Sequence, residues 1–220
     1  MTNPTKEEIK AGHAVYSKLF LLVYDFMIIR IFCRYIWKCP SRFILDNYNR
    51  NISANHLDVG VGTGYNLEYC KFPSKTPRLV LMDLNQNCLE VTAKRLKRYS
   101  PEIHCGDVFK PFDTGSERFD SVALNGLLHC IPGTMKEKGV VFDNAKQVMN
   151  PRGVVFGCTI LNKNVKKGLA AKLMIYITNR KNVFSNLDDS LDDLKEELSK
   201  RFKKVSVNII GCMALFGAQL

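Results

Sequence analysis

Two apolar runs near the end of the chain, Val205–Ile210 and Cys212–Ala218, are separated by Gly211 alone. A single glycine leaves no room for a crossover helix, so the runs must pair as an antiparallel hairpin. Upstream the pattern is different. From residue 56 onward, short apolar runs at His56–Gly60, Arg78–Leu84, Glu102–Val108, Phe119–Asn125 and Val154–Leu161 alternate with longer amphipathic stretches. Those stretches predict helices over Tyr65–Phe72, Gln86–Tyr99, Met135–Met149 and Asp189–Phe202. In the second, Leu89, Ala93 and Leu96 share a face that the basic residues largely avoid. The last runs from acidic to basic, the direction the helix dipole favours. Alternating strand and helix means a parallel sheet with helices on both faces. The expectation is an α/β chain whose seven-stranded, mainly parallel sheet is closed by a C-terminal antiparallel hairpin.

A length of 220 residues fits one domain, read as an N-terminal helical lid over 1–50 and a core over 51–220. Hydrophobic residues at 46% and charged residues at 24% exclude disordered, collagen-like and coiled-coil classes. The charge is lopsided: 32 Lys+Arg against 21 Asp+Glu gives +11. Such an excess suits a nucleic-acid, anionic-membrane or acidic partner. The basic residues are dispersed, with runs at Lys94–Arg98, Lys163–Lys167 and Arg201–Lys204, so a nucleic-acid partner is not favoured.

Leu19–Trp37 is about long enough to span a bilayer. Asp25, Arg30 and Arg34 interrupt it, each costing roughly 2.5–3.5 kcal/mol at the centre of a spanning helix. An amphipathic helix covering apolar surface fits better, and no transmembrane segment is expected. The eight cysteines include no C-x-x-C pair, so no metal site is expected. Their apolar neighbours and the lack of a cleavable leader point to reduced thiols and a cytoplasmic location.

The chemistry begins at Asp58-Val59-Gly60-Val61-Gly62-Thr63-Gly64. Alternate glycines after a buried strand allow a sharp turn and close approach of a ligand to the main chain. Tyr65 stands where a dinucleotide loop needs a third small residue, and no Walker lysine follows. Asp58 would repel a pyrophosphate, whereas it suits a cationic ligand or its ammonium group. Asp83, Asp107 and Asn125 then close the next three strands, where open α/β sheets place their ligand contacts. An acid at the end of the second strand commonly accepts both hydroxyls of a ribose, and one after the third can accept from an exocyclic amine.

These residues resemble the Rossmann-like class I S-adenosylmethionine-dependent methyltransferases over about residues 50–220. The resemblance implies that Asp58, Gly60, Gly62 and Gly64 hold the methionine end of S-adenosyl-L-methionine. It implies that Asp83 binds the ribose, that Leu84 lies beside the adenine and that Asp107 and Val108 read its edge. Asn125-Gly126-Leu127-Leu128-His129 is similar to the segment facing the methyl donor. Tyr24-Asp25 with Trp37-Lys38 resembles the start of the ubiquinone/menaquinone-type small-molecule branch. That likeness implies a helical lid, with Tyr16 toward the cofactor and Tyr24 toward the substrate.

Methyl transfer requires alignment, exclusion of water and, for a hydroxyl or protonated amine, a base. His129, just beyond the fourth strand, is the expected base; His13, Tyr16 and Tyr24 are weaker candidates. The implied reaction is in-line methyl transfer to a small-molecule metabolite, with S-adenosyl-L-homocysteine as product. The alternatives are an RNA or protein methyltransferase using the basic surface and a cofactor-binding module without catalysis.

Overall fold

Leu57, Val59, Val80, Leu81, Val122, Leu124, Val155, Phe156 and Phe216 are sealed from solvent, and they come from every strand of the sheet's middle. Each such side chain contributes about 1.5–3 kcal/mol when fully buried. The computed structural model describes residues 17–220 and assembles these residues into one seven-stranded sheet. In chain order its strands are β1 (Asn55–Val59), β2 (Arg78–Asp83), β3 (Glu102–Cys105), β4 (Phe119–Asn125), β5 (Met149–Ile160), β6 (Lys204–Ile210) and β7 (Met213–Gln219). The spatial order is β3-β2-β1-β4-β5-β7-β6. Neighbours run parallel except β7, which is antiparallel to both β5 and β6. The expected fold, hairpin included, is the observed one. Ile160 pairs with Met213, so the Gly211 turn lies at the carboxyl end of β5, level with the loop after β1.

The helices are α1 (Lys18–Tyr24), α2 (Ser41–Asn51), α3 (Tyr65–Tyr69), α4 (Gln86–Arg95), α5 (Met135–Gln147), α6 (Leu169–Arg180) and α7 (Leu191–Ser199). Their ends follow local chemistry. Asn85 caps α4, Thr134 and Glu137 form a capping box at α5, and Ser190 caps α7. The core on one face of the sheet joins Leu81, Phe156 and Leu215 to α2, α4 and α6. The other face joins Val122, Val155 and Phe216 to α5 and α7. Asn47 on α2 donates Nδ2 to the carbonyls of Gly157 and Phe216 (3.1 and 3.3 Å), tying that helix to β5 and β7.

Two elements depart from expectation. Helix α6 lies in a stretch where no helix was expected. The segment expected as one amphipathic helix over Leu19–Trp37 is α1 followed by a π-wound helix over Asp25–Ile36. Its wider turn, closed by i→i+5 bonds, changes which side chains share a face. Cys33 and Trp37 turn inward, while Phe26, Arg30 and Arg34 turn outward. Residues 18–37 form a strap across the carboxyl end of the sheet. At its far end the Cys212 N–H donates to the Trp37 carbonyl (3.1 Å), and a Cβ on Gly211 would overlap that same carbonyl. Among the described residues no helix is long and apolar enough to cross a membrane.

Candidate active site

The loop after β1 is shaped by three glycines with positive φ, Gly60, Gly62 and Gly64. They differ in what surrounds them. A Cβ on Gly64 would meet Thr92 Cγ2 at 2.7 Å, so this glycine lets α4 pack against the loop. A Cβ on Gly62 would meet nothing within 4 Å, which leaves the loop's outer side open to a ligand. Thr92 also donates its hydroxyl to the Gly62 carbonyl (3.1 Å), fixing the turn.

Asp58 lies beneath this loop and is buried. Its Oδ2 accepts the Tyr48 hydroxyl at 2.8 Å and lies 3.5 Å from His56 Nε2. These internal contacts let Asp58 brace the loop from below. Burial, then the charge on Asp58, pushes the Tyr48 hydroxyl well above its ordinary pKa, so it stays a donor.

Asp83 stands at the end of β2. Its Oδ1 accepts the Asn85 N–H at 2.8 Å, and the amides of Val61 and Gly62 also point at the carboxylate. Burial pushes its pKa up to about 6 against the pull of those amides. Leu84 follows it, half-buried. Asp107 accepts the Phe109 N–H at 3.0 Å in a tight turn, next to buried Val108, whose carbonyl takes an Asn144 N–H at 2.9 Å. Asn125 ends β4, and its Oδ1 is buried without a hydrogen-bond partner, as is Oδ1 of Asn66 at the start of α3. An orphaned buried carbonyl costs free energy until a donor reaches it. Two such acceptors, an open glycine turn and a strand-end carboxylate fit a ligand carrying an ammonium group and a ribose, as S-adenosylmethionine does.

His129 is buried between the ends of β4 and β5. The Ile160 N–H donates to its Nδ1 and the Thr159 hydroxyl lies beside the same nitrogen, both at 3.3 Å. That bond places the ring proton on Nε2. Burial, aided by the Lys138 charge, pulls the pKa down to about 3, so the ring is neutral near pH 7. Phe184 packs edge-on against it, ring centroids 4.6 Å apart. Beneath, the Lys138 ammonium donates to both oxygens of Asp189 (2.9 and 2.7 Å) and to the Ser185 carbonyl (2.6 Å), in a fully buried pair. This pair anchors the segment that carries Phe184.

Tyr24 lies half-buried at the junction of α1 and the π-wound segment. Its neighbour Asp25, read from sequence as an obstacle to membrane insertion, is a latch. Asp25 accepts the Thr63 hydroxyl of the glycine loop at 2.6 Å and Arg95 of α4 at 2.7 Å. An acid inside an otherwise apolar helix was the available signal for it. Tyr16 and His13 lie outside the described residues. Among the described residues no cluster of His, Cys, Asp or Glu is arranged to hold a metal.

Comparison with known proteins shows which family the chain belongs to. A methyltransferase-domain family profile matches residues 57–155. The chain is 35% identical over 212 residues to a demethylluteothin O-methyltransferase of Streptomyces thioluteus, covering 96% of this chain and 92% of that protein. It is 36% identical over 221 residues to a physcion biosynthesis cluster O-methyltransferase of Aspergillus chevalieri, covering 98% and 97%. Among solved structures, the DhpI complex with S-adenosylhomocysteine superposes with a TM-score of 0.70 at 15% identity, covering 99% of this chain and 98% of that one.

Proposed function

Because this chain belongs to the class I S-adenosylmethionine-dependent methyltransferases and acts on a small molecule, we propose that its acceptor atom is the oxygen of an acidic hydroxyl that arrives ionised. The observation that carries this reading is the Ile160 N–H on His129 Nδ1. A ring already accepting at Nδ1, protonated at Nε2 and of low basicity does not remove a proton at neutral pH. In this reading His129, expected as a base, serves instead as a donor: Nε2–H orients the acceptor oxygen and holds its charge. Two O-methyltransferase relatives support the same choice, and their named activities do not favour an RNA or protein acceptor. The eight cysteines are unpaired, which supports a cytoplasmic setting.

When bound, S-adenosylmethionine would supply an electrophilic methyl for the acceptor oxygen, its sulfur retaining the electron pair of the broken bond. In this reading Asp83 accepts the two ribose hydroxyls, Leu84 and Val108 flank the adenine, and Asp107 accepts from its amine. Gly60, Gly62 and Gly64 let the backbone approach, and Asn125, with Asn66, accepts from the ammonium group. Tyr24 and the strap cover the acceptor and exclude water, which supplies alignment. Of the expected lid over 1–50, residues 18–37 supply this cover, and 51–220 are the core.

The test is His129→Asn. Methyl transfer to a phenol or enol should fall about a hundredfold with S-adenosylhomocysteine affinity unchanged, as expected for loss of one charge-stabilising donor. The pH–rate profiles of wild type and variant should both follow the acceptor's own ionisation. A wild-type limb independent of the acceptor and lost in the variant would restore the base role.

A further inference from the structure

The basic residues are dispersed, but two segments hold them with no acid to balance them. Residues 26–45 hold Arg30, Arg34, Lys38 and Arg42 and no acid; residues 162–187 hold six basic residues and no acid. Together they carry ten positive charges of a chain whose net charge is +11. They are far apart in sequence and adjacent in the fold. Helix α6 packs on the π-wound part of the strap, and the rings of Trp37 and Phe184 lie 6.1 Å apart. Lys38, Lys166 and Lys167 line one open cavity of about 640 Å³ beside the Gly211 turn. Of the nearby acids, Asp25 turns inward to Thr63 and Arg95, Asp188 is paired with Lys163, and Asp192 accepts the Asn164 amide at the cavity's rim (2.6 Å).

The same face is apolar at its crest. On α6, Ala171 and Ile175 are buried, while Leu169, Leu173 and Tyr176 stand on the opposite side, 83%, 58% and 55% exposed. On the strap Phe26 and Tyr35 are each 59% exposed. Arg34 lies over the Tyr35 ring (5.5 Å), and Arg180 donates to the Tyr176 hydroxyl (3.0 Å), so cations flank the aromatic groups. Protruding leucines rimmed by lysine and arginine are how a helix lies in the plane of a membrane interface. A nucleic acid would match the charge and leave the leucines in water.

We propose that the paired outer faces of the π-wound strap and α6 dock this enzyme on an anionic lipid surface. Leu169, Leu173 and Phe26 enter the interface, and the cavity of Lys38, Lys166 and Lys167 receives lipid phosphates. The contact is peripheral and independent of which atom is methylated.

The experiment is co-sedimentation of the full chain with phosphatidylcholine vesicles and with vesicles in which about a third of the lipid is phosphatidylglycerol. Partition onto the anionic vesicles should be at least about tenfold stronger. Lys166→Gln with Lys167→Gln should weaken it about twentyfold, near fivefold per charge. Leu169→Ser with Leu173→Ser should weaken it about tenfold, with the melting midpoint and S-adenosylhomocysteine affinity unchanged. No preference for anionic vesicles overturns the proposal. So does binding that ignores the leucine substitutions and is competed away by polyuridylate or polyglutamate, which would assign the face to an acidic macromolecule.

Discussion

At the ends of β2 and β3 two of the site's carboxylates are held beside the strands that precede them: Asp83 reaches the Asn85 amide and Asp107 the Phe109 amide, each two positions on. Over β5 and the hairpin nothing is local. His129 is fixed by Ile160, 31 residues away, Lys138 by Asp189, 51 away, and Cys212 by Trp37, 175 away. The first region is a motif that carries its own geometry. The second exists only once the whole chain has packed. Substitutions in the first should therefore cost ligand affinity at nearly constant stability, and substitutions in the second should cost stability first.

The largest effect is expected on the assembled side. Lys138→Met leaves Asp189 buried and unpaired and should remove about 3–5 kcal/mol, read as a lower urea midpoint. Lys138→Met combined with Asp189→Leu should recover most of it. If affinity for S-adenosylhomocysteine fell while the midpoint stayed in place, the division between the regions would fail. On the motif side, Asp83→Ala removes two charge-assisted hydrogen bonds and should weaken S-adenosylhomocysteine about a hundredfold by calorimetric titration. The urea midpoint should move less than in Lys138→Met, by the cost of the amides that Asp83 leaves unpaired.

Asp25→Ala tests the boundary, because Asp25 belongs to the strap and grips the glycine loop. Loss of its bonds to Thr63 and Arg95 should weaken the product about tenfold, and Asp25→Asn should restore part of this. The smallest effect is in pH. Asp83 acts as an acceptor when ionised, and its pKa is pushed up to about 6, so affinity should hold at pH 7 and fall as pH drops through 6. At pH 5.5 the loss should be about fourfold, and a flat profile in the Asp83→Asn variant would assign it to this group.

The same division governs what could be read from the residues alone. The strand ends at Asp83 and Asn125, and the turn at Asp107 just past the end of β3, were legible because each residue sits next to its own turn, and the Gly211 spacing dictated the hairpin. Chain-end bounds shifted where neighbours decide them: β3 stops at Cys105 rather than Val108, and β5 begins at Met149, five residues early. Helix α6 escaped notice because its exposed stripe is as apolar as its buried one, which erases the amphipathic period. The π winding has no periodicity of its own to announce it. Asp25 was visible as a charge among apolar residues, yet its partners lie 38 and 70 positions away.

The bond between Cys212 and Trp37 also sets an order of events during synthesis. Residue 37 leaves the ribosome long before residue 212, so the strap has nothing to seat against at its far end until the hairpin turn emerges. Until residue 212 is made, the nascent strap is held only at its Asp25 end, and its far end is closed by the hairpin turn.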